Sequence, residues 1–147
     1  MTNKLQYEYY RTTLLQTKSY VSKGKCNKAK PLLLLAIFDL ISDGKCSDNK
    51  IFFNKDLETY YKKTCLRWDS DTTTPIQYPY YYLCSDGYLH ITYLHSLVDK
   101  PKTPSKKFLL QNVNYASFDN ALWDMLQDAA SRVDLRNVII NHFFKDK

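Results

Sequence analysis

Glycine is scarce in this 147-residue chain, with three residues, and there are five prolines. So few glycines exclude a collagen-like or low-complexity chain and leave nothing from which to build a Gly-rich phosphate loop. A Gly-x-Ser-x-Gly nucleophile elbow is missing too. Cys26, Cys46, Cys65 and Cys84 stand about twenty residues apart without a Cys-x-x-Cys pair, and His90, His95 and His142 are scattered. No zinc-ligand spacing arises, so neither a metal nor a cofactor is expected. The polar N-terminal segment lacks an apolar signal core, which argues against secretion and a disulfide framework. The apolar run from Leu32 to Ile41 is too short to span a bilayer and contains Asp39. These absences predict reduced thiols and a cytoplasmic protein with no membrane partner.

Acidic residues are absent between Glu8 and Asp39, where Arg11, Lys18, Lys23, Lys25, Lys28 and Lys30 all fall. A second acid-free basic run holds Lys100, Lys102, Lys106 and Lys107, and the net charge is +6. Two such runs flanking a tyrosine-rich centre can form one face that neutralises phosphates, or two solvated loops. Aromatics make up 15% of the chain, mostly tyrosine. A phenol ring joins an apolar body to a polar tip, so the excess fits a half-wet binding surface as well as a core.

One domain, residues 1–147, is expected at this length. Lys4 to Tyr20 has loose helical spacing. Pro31 suits the first turn of a helix whose LLLLAIFDLI sequence is apolar on nearly every side, and Asp43-Gly44 is a stop signal. Ile51-Phe52-Phe53 reads as a short strand, followed by an Asn54-capped helix towards Trp68. Two aromatic runs around Ser85-Asp86-Gly87 predict a β-hairpin over about 78–93, with Tyr78, Tyr80 and Tyr82 on one face. Residues 94–105 read as a loop. Ser117 is expected to cap a helix containing Leu122, Trp123 and Leu126, and a last helix starts near Asp128. The prediction is an α+β fold, a mainly helical single domain around a small antiparallel sheet.

Catalytic constellations are not found. There is no His-Asn-His metal finger, and no acidic pair precedes a Glu-x-Lys as a magnesium-dependent nuclease requires. His90, with Asp86 as partner, is the one candidate for a small hydrolase, against the simpler readings of a packed histidine and a turn-forming aspartate. The chain reads as a binding module and not an enzyme.

Three stretches resemble one family. Asn27-Lys-Ala-Lys-Pro-Leu-Leu-Leu-Leu-Ala-Ile-Phe-Asp-Leu-Ile-Ser-Asp-Gly44 joins a basic residue and proline to a leucine-rich helix. Tyr78-Pro-Tyr-Tyr-Tyr-Leu-Cys-Ser-Asp-Gly-Tyr-Leu-His90 is a Tyr-Pro-aromatic run reaching Asp-Gly. Tyr115-Ala-Ser-Phe-Asp-Asn-Ala-Leu-Trp-Asp-Met-Leu-Gln-Asp128 ends in Leu-Gln-Asp. In this order and spacing they are similar to the N-terminal half of HNH-type restriction endonucleases, a sulfur-binding domain that reads phosphorothioate DNA. The resemblance runs from about residue 5 to Phe144. The family's HNH nuclease domain follows that point, and here the chain ends at Lys147. The resemblance therefore implies the recognition module of a restriction or defence system, binding double-stranded DNA and working with a separate nuclease subunit or domain.

By the same resemblance, Tyr78, Pro79 and Tyr82 surround the modified group and Lys30-Pro31 stand at the mouth of the buried helix; on the DNA-binding reading His90 is expected nearby. Lys25, Lys28, Lys106 and Lys107 are the expected phosphate contacts. Two positions differ from the family: Ala29 stands where a histidine is common, and Tyr82 where a small cavity-lining residue is usual. Two alternatives follow: a non-specific DNA-binding domain without sulfur recognition, and a protein-interaction module using a tyrosine-rich surface. The position of the two basic runs relative to Tyr78–Tyr82 discriminates between a nucleic acid and a protein partner.

Overall fold

A computed structural model describes residues 4–19, 21–22, 25–96 and 99–144, giving the backbone alone for 21, 22, 25 and 26. The elements run α1 (Lys4–Leu15), a small ribbon of β1 (Val21–Ser22) and β2 (Lys25–Cys26), α2 (Ala29–Ser42), α3 (Lys55–Trp68) and α4 (Gln77–Tyr82). A 3-10 turn (Leu83–Asp86) leads to β3 (Leu89–Tyr93). Then follow α5 (Lys106–Asn112), β4 (Val113–Phe118), α6 (Asn120–Gln127) and α7 (Ala129–Phe143). The fold is mainly helical α+β, as expected.

α2 is the axis of the core. Leu32 to Phe38 are without exception inaccessible, because α3, α4, α6 and α7 all pack on this helix. Each large aliphatic side chain so buried contributes roughly 1.5–3 kcal/mol. The helix stops where the sequence says it should. Gly44 takes a φ of +75°, its N–H donates to the Ile41 carbonyl, and the Lys45 N–H reaches back to Leu40. This is a Schellman closure, and its left-handed residue favours glycine. Asn54 accepts from the Leu57 N–H at 3.0 Å and starts α3. Leu57, Tyr61, Thr64 and Cys65 then form the buried stripe of that helix, at the spacing of one helical face.

The predicted hairpin over 78–93 is not formed. Its first half, 77–82, is helical, the 3-10 turn follows, and Gly87 turns the chain with a φ of +93°. Only the second half is a strand, and its partner is distant: β3 pairs antiparallel with β4 in the register Leu89↔Phe118, His90↔Ser117 and Ile91↔Ala116. Tyrosine favours strands, but short aromatic runs are ambiguous in period, and tertiary packing overrides propensity. Pro79 occupies the third position of α4, where no intrahelical N–H is required. Helical spacing also buries Tyr80 and Leu83 together. The Tyr80 ring meets Phe53 edge-on, and its hydroxyl donates to the Ile51 carbonyl at 2.7 Å.

Other boundaries also moved. Ser117 lies inside β4, and Asp119 precedes α6 instead. The Ile51 segment contributes a single bridge to Ala116, on the free edge of β4. α5 begins directly after the segment read as a loop, whose last residue, Ser105, caps it by accepting from the Phe108 N–H.

Candidate nucleic-acid interface

The Tyr-Pro motif of α4 and the Lys-Pro motif of α2 meet in space. Both helices begin at one side of a cleft of about 560 Å³, whose wall includes Ala29, Lys30, Tyr78, Pro79 and Tyr82. Lys18, Ser19, Asn27, Thr74 and Ser85 complete it. Tyr78 and Tyr82 are four residues apart on a helix, so their rings share a face. The rings lie nearly parallel, at 10° with centroids 6.5 Å apart. Both are only half-buried, so the rings are open to a ligand. The Tyr82 hydroxyl donates to the Lys102 carbonyl at 2.8 Å, which anchors its ring as a wall beside the cavity. Pro31 lies beneath the surface in the α2 core, away from the lining.

Lys30 is held by an aspartate that sequence reading treated only as a turn-former or a partner of His90. Its Nζ is 2.8 Å from Asp86 Oδ2, with the side chains 16% and 4% exposed. The Lys18 backbone N–H donates to Oδ1 of the same carboxylate. Thr17 and Tyr88 share a hydrogen bond of 2.6 Å beside it. The end of α1 is thus fixed to the turn that carries Asp86. An ammonium locked in this way keeps remaining N–H donors, but much of its charge is already balanced.

Asn27 opens α2 through an Asx turn, its Oδ1 accepting from the Ala29 N–H at 2.8 Å. Its Nδ2 donates to Thr74 Oγ1 at 2.8 Å, which ties the 69–76 segment to the cleft. Asn27 and Thr74 were missed as site residues. An asparagine two residues before a helix was a readable signal, whereas nothing local marked Thr74.

The remaining sequence candidates are dispersed. His90 is not in the lining: it is exposed on β3, and its Nε2 is 2.5 Å from Asp119 Oδ1, a carboxylate that also accepts from the Tyr10 hydroxyl. The His90–Asp86 pair is therefore absent, because Asp86 faces Lys30. Lys28 lies over the Phe144 ring, 5.4 Å from its centroid. Lys106 pairs with Glu58 at 3.0 Å, and Lys107 is exposed in the first turn of α5. The Lys25 side chain lies outside the described residues.

Both basic runs border the tyrosines. Lys18 and Lys30 of the first are in the wall. The second is fastened to α4, since Tyr81 and Tyr82 donate to the carbonyls of Pro101 and Lys102. Lys100 lies 5.0 Å above the Tyr93 ring. Among the described residues, no group of three His, Cys, Asp or Glu could hold a metal ion, and no helix is long and apolar enough to cross a membrane. No family model matches the chain, and a search of curated proteins gives no match either.

Proposed function

We propose that this protein is a cytoplasmic DNA-recognition module that accepts a phosphorothioate of double-stranded DNA in the Tyr78–Pro79–Tyr82 cleft and leaves cutting to a separate nuclease. The observation that carries this reading is the convergence of Lys30, Tyr78, Pro79 and Tyr82 on one open cleft. Residues from both basic runs stand beside it.

The chemistry of the wall supports sulfur over oxygen. Ring faces and proline carbons gain dispersion energy with a large, polarisable atom. Oxygen entering the same place would lose water without gaining a full set of donors, which costs roughly 1–3 kcal/mol. Lys30 supplies a positioned donor whose charge is muted by Asp86, so selection rests on desolvation more than on charge. Lys18, also in the wall, adds affinity for the backbone through counterion release. A protein partner is the weaker reading, because the basic runs adjoin the tyrosines.

The test uses matched duplexes with and without a single phosphorothioate at fixed salt. The modified duplex should bind more tightly, and Tyr78→Ala should remove that preference. Lys30→Ala should weaken both complexes. Equal affinity for the two duplexes would leave a non-specific DNA-binding domain, and absence of any salt-sensitive duplex binding would refute the reading.

A further inference from the structure

The cleft beside Tyr78 is larger than one sulfur atom requires. At about 560 Å³ it falls in the range of pockets that enclose a whole small molecule. A single trapped atom needs a space nearer that of one water, roughly 30 Å³. The arrangement of the two tyrosines suggests what fills the rest. Carbon atoms in contact are about 3.5–4.0 Å apart. Rings that lie at 10° with centroids 6.5 Å apart are therefore either separated by a gap or slid almost past one another. In neither case does one ring cover the face of the other, and both line the cleft. Tyr82 is fixed in this position. Tyr81 meets its ring edge-on, with centroids 5.5 Å apart, and the Lys102 carbonyl holds its hydroxyl. A flat ligand thus finds ring faces that need little ordering before it binds.

The polar groups suit the rest of a nucleotide. Asn27 gives one Nδ2 hydrogen to Thr74 Oγ1. Its second Nδ2 hydrogen and the Thr74 hydroxyl hydrogen have no acceptor among the described residues, so both can donate to the edge of a base. Asp86 balances Lys30, and Lys18 makes no ion pair among the described residues. The wall therefore offers one uncompensated ammonium group, which matches one phosphate.

We propose that the cleft receives a whole nucleotide turned out of the DNA stack, its base against the Tyr78 and Tyr82 rings and its phosphate beside Lys18. This rests on the DNA reading above and names its ligand unit as the nucleotide that carries the modified group. Turning a nucleotide out breaks its pairing and stacking, and stacking on aromatic rings restores part of that loss. Every base has a π-face, so the site tolerates sequence.

The experiment compares duplexes that carry one phosphorothioate and are fully paired, mismatched or abasic at the nucleotide on either side of it, each in turn. A mismatch removes pairing that insertion would otherwise break, so at one of the two positions the wild-type chain should bind about tenfold more tightly. The abasic duplex is as easily deformed but has no base to stack, and should lack most of that gain. Tyr78→Phe keeps the ring and should keep the gain. Tyr78→Leu keeps apolar bulk without a ring face and should lose it, with circular dichroism checking that both variants fold. Equal wild-type affinity for paired and mismatched duplexes, or an abasic duplex bound as tightly as the mismatched one, overturns the insertion while the DNA reading stands. A gain that persists in folded Tyr78→Leu does the same. Both wild-type comparisons remain decisive if a variant fails to fold. Failure of the wild-type chain to bind any duplex overturns both readings.

Discussion

Replacing Asp86 by asparagine isolates the charge that holds Lys30. The asparagine Oδ1 can still accept from the Lys18 backbone N–H, so the change removes the ionic bond at 2.8 Å while keeping the neighbouring one. Breaking a buried pair by removing one partner costs about 3–5 kcal/mol, since the other charge is left uncompensated. Lys30 retains 16% exposure at the cleft and can turn its ammonium towards water, which places the loss near the lower end, about 3 kcal/mol. For a chain of this size each kcal/mol moves the melting temperature by roughly 2–4 °C, giving a fall of about 6–12 °C. Combining Asp86→Asn with Lys30→Met removes the stranded charge and should recover most of that loss. Differential scanning calorimetry of the two single variants and the double variant completes the cycle. A fall of less than about 2 °C for Asp86→Asn, or a double variant no better than the sum of the singles, refutes the argument. Binding supplies a second readout: the released ammonium should steepen the salt dependence of duplex binding by up to roughly one phosphate contact.

Other consequences are equally direct. His90→Ala should leave duplex affinity and sulfur preference unchanged, because His90 bonds Asp119 outside the cleft; a tenfold loss in a fluorescence titration would contradict this placement. Gly87→Ala should cost about 1 kcal/mol in urea denaturation, entirely from the backbone φ of +93°, since an added Cβ meets nothing within 4 Å; a neutral result would remove the case for a required left-handed turn. Burial, reinforced by the Asp119 carboxylate, pushes Tyr10 up to about 12, and burial also raises Tyr61, Tyr80 and Tyr88. Phenols neutral in the fold and with an ordinary value near 10 when unfolded contribute stability that is complete below pH of about 10. That contribution is lost as pH rises towards 12, so phenolate absorbance should appear together with loss of helical signal. Independent titration of every tyrosine near pH 10, with the helices intact, would be the contrary outcome.

The helical skeleton was legible because its signals are local. The apolar sequence around Leu32–Ile41 could be satisfied only by burial on all sides, and Gly44 marked its end. Asn54 and Asp128 announced α3 and α7 through side chains that accept from N–H groups three residues on. Lys30, Tyr78, Pro79 and Tyr82 were recognisable as candidates from their motifs and meet in one cleft, although the tyrosines were read as a strand. The sequence by itself therefore determined which surfaces had to be buried and which residues carried unusual chemistry. Only the tertiary structure decided the conformation of 77–82, because Phe53, the Ile51 carbonyl and the Lys102 carbonyl that favour the helix come from distant parts of the chain. It likewise decided that Asp86 faces Lys30, with His90 placed against Asp119. Such pairings depend on which turns and strands pack side by side, and a charge selects its partner by distance in space, where separation along the chain has no influence.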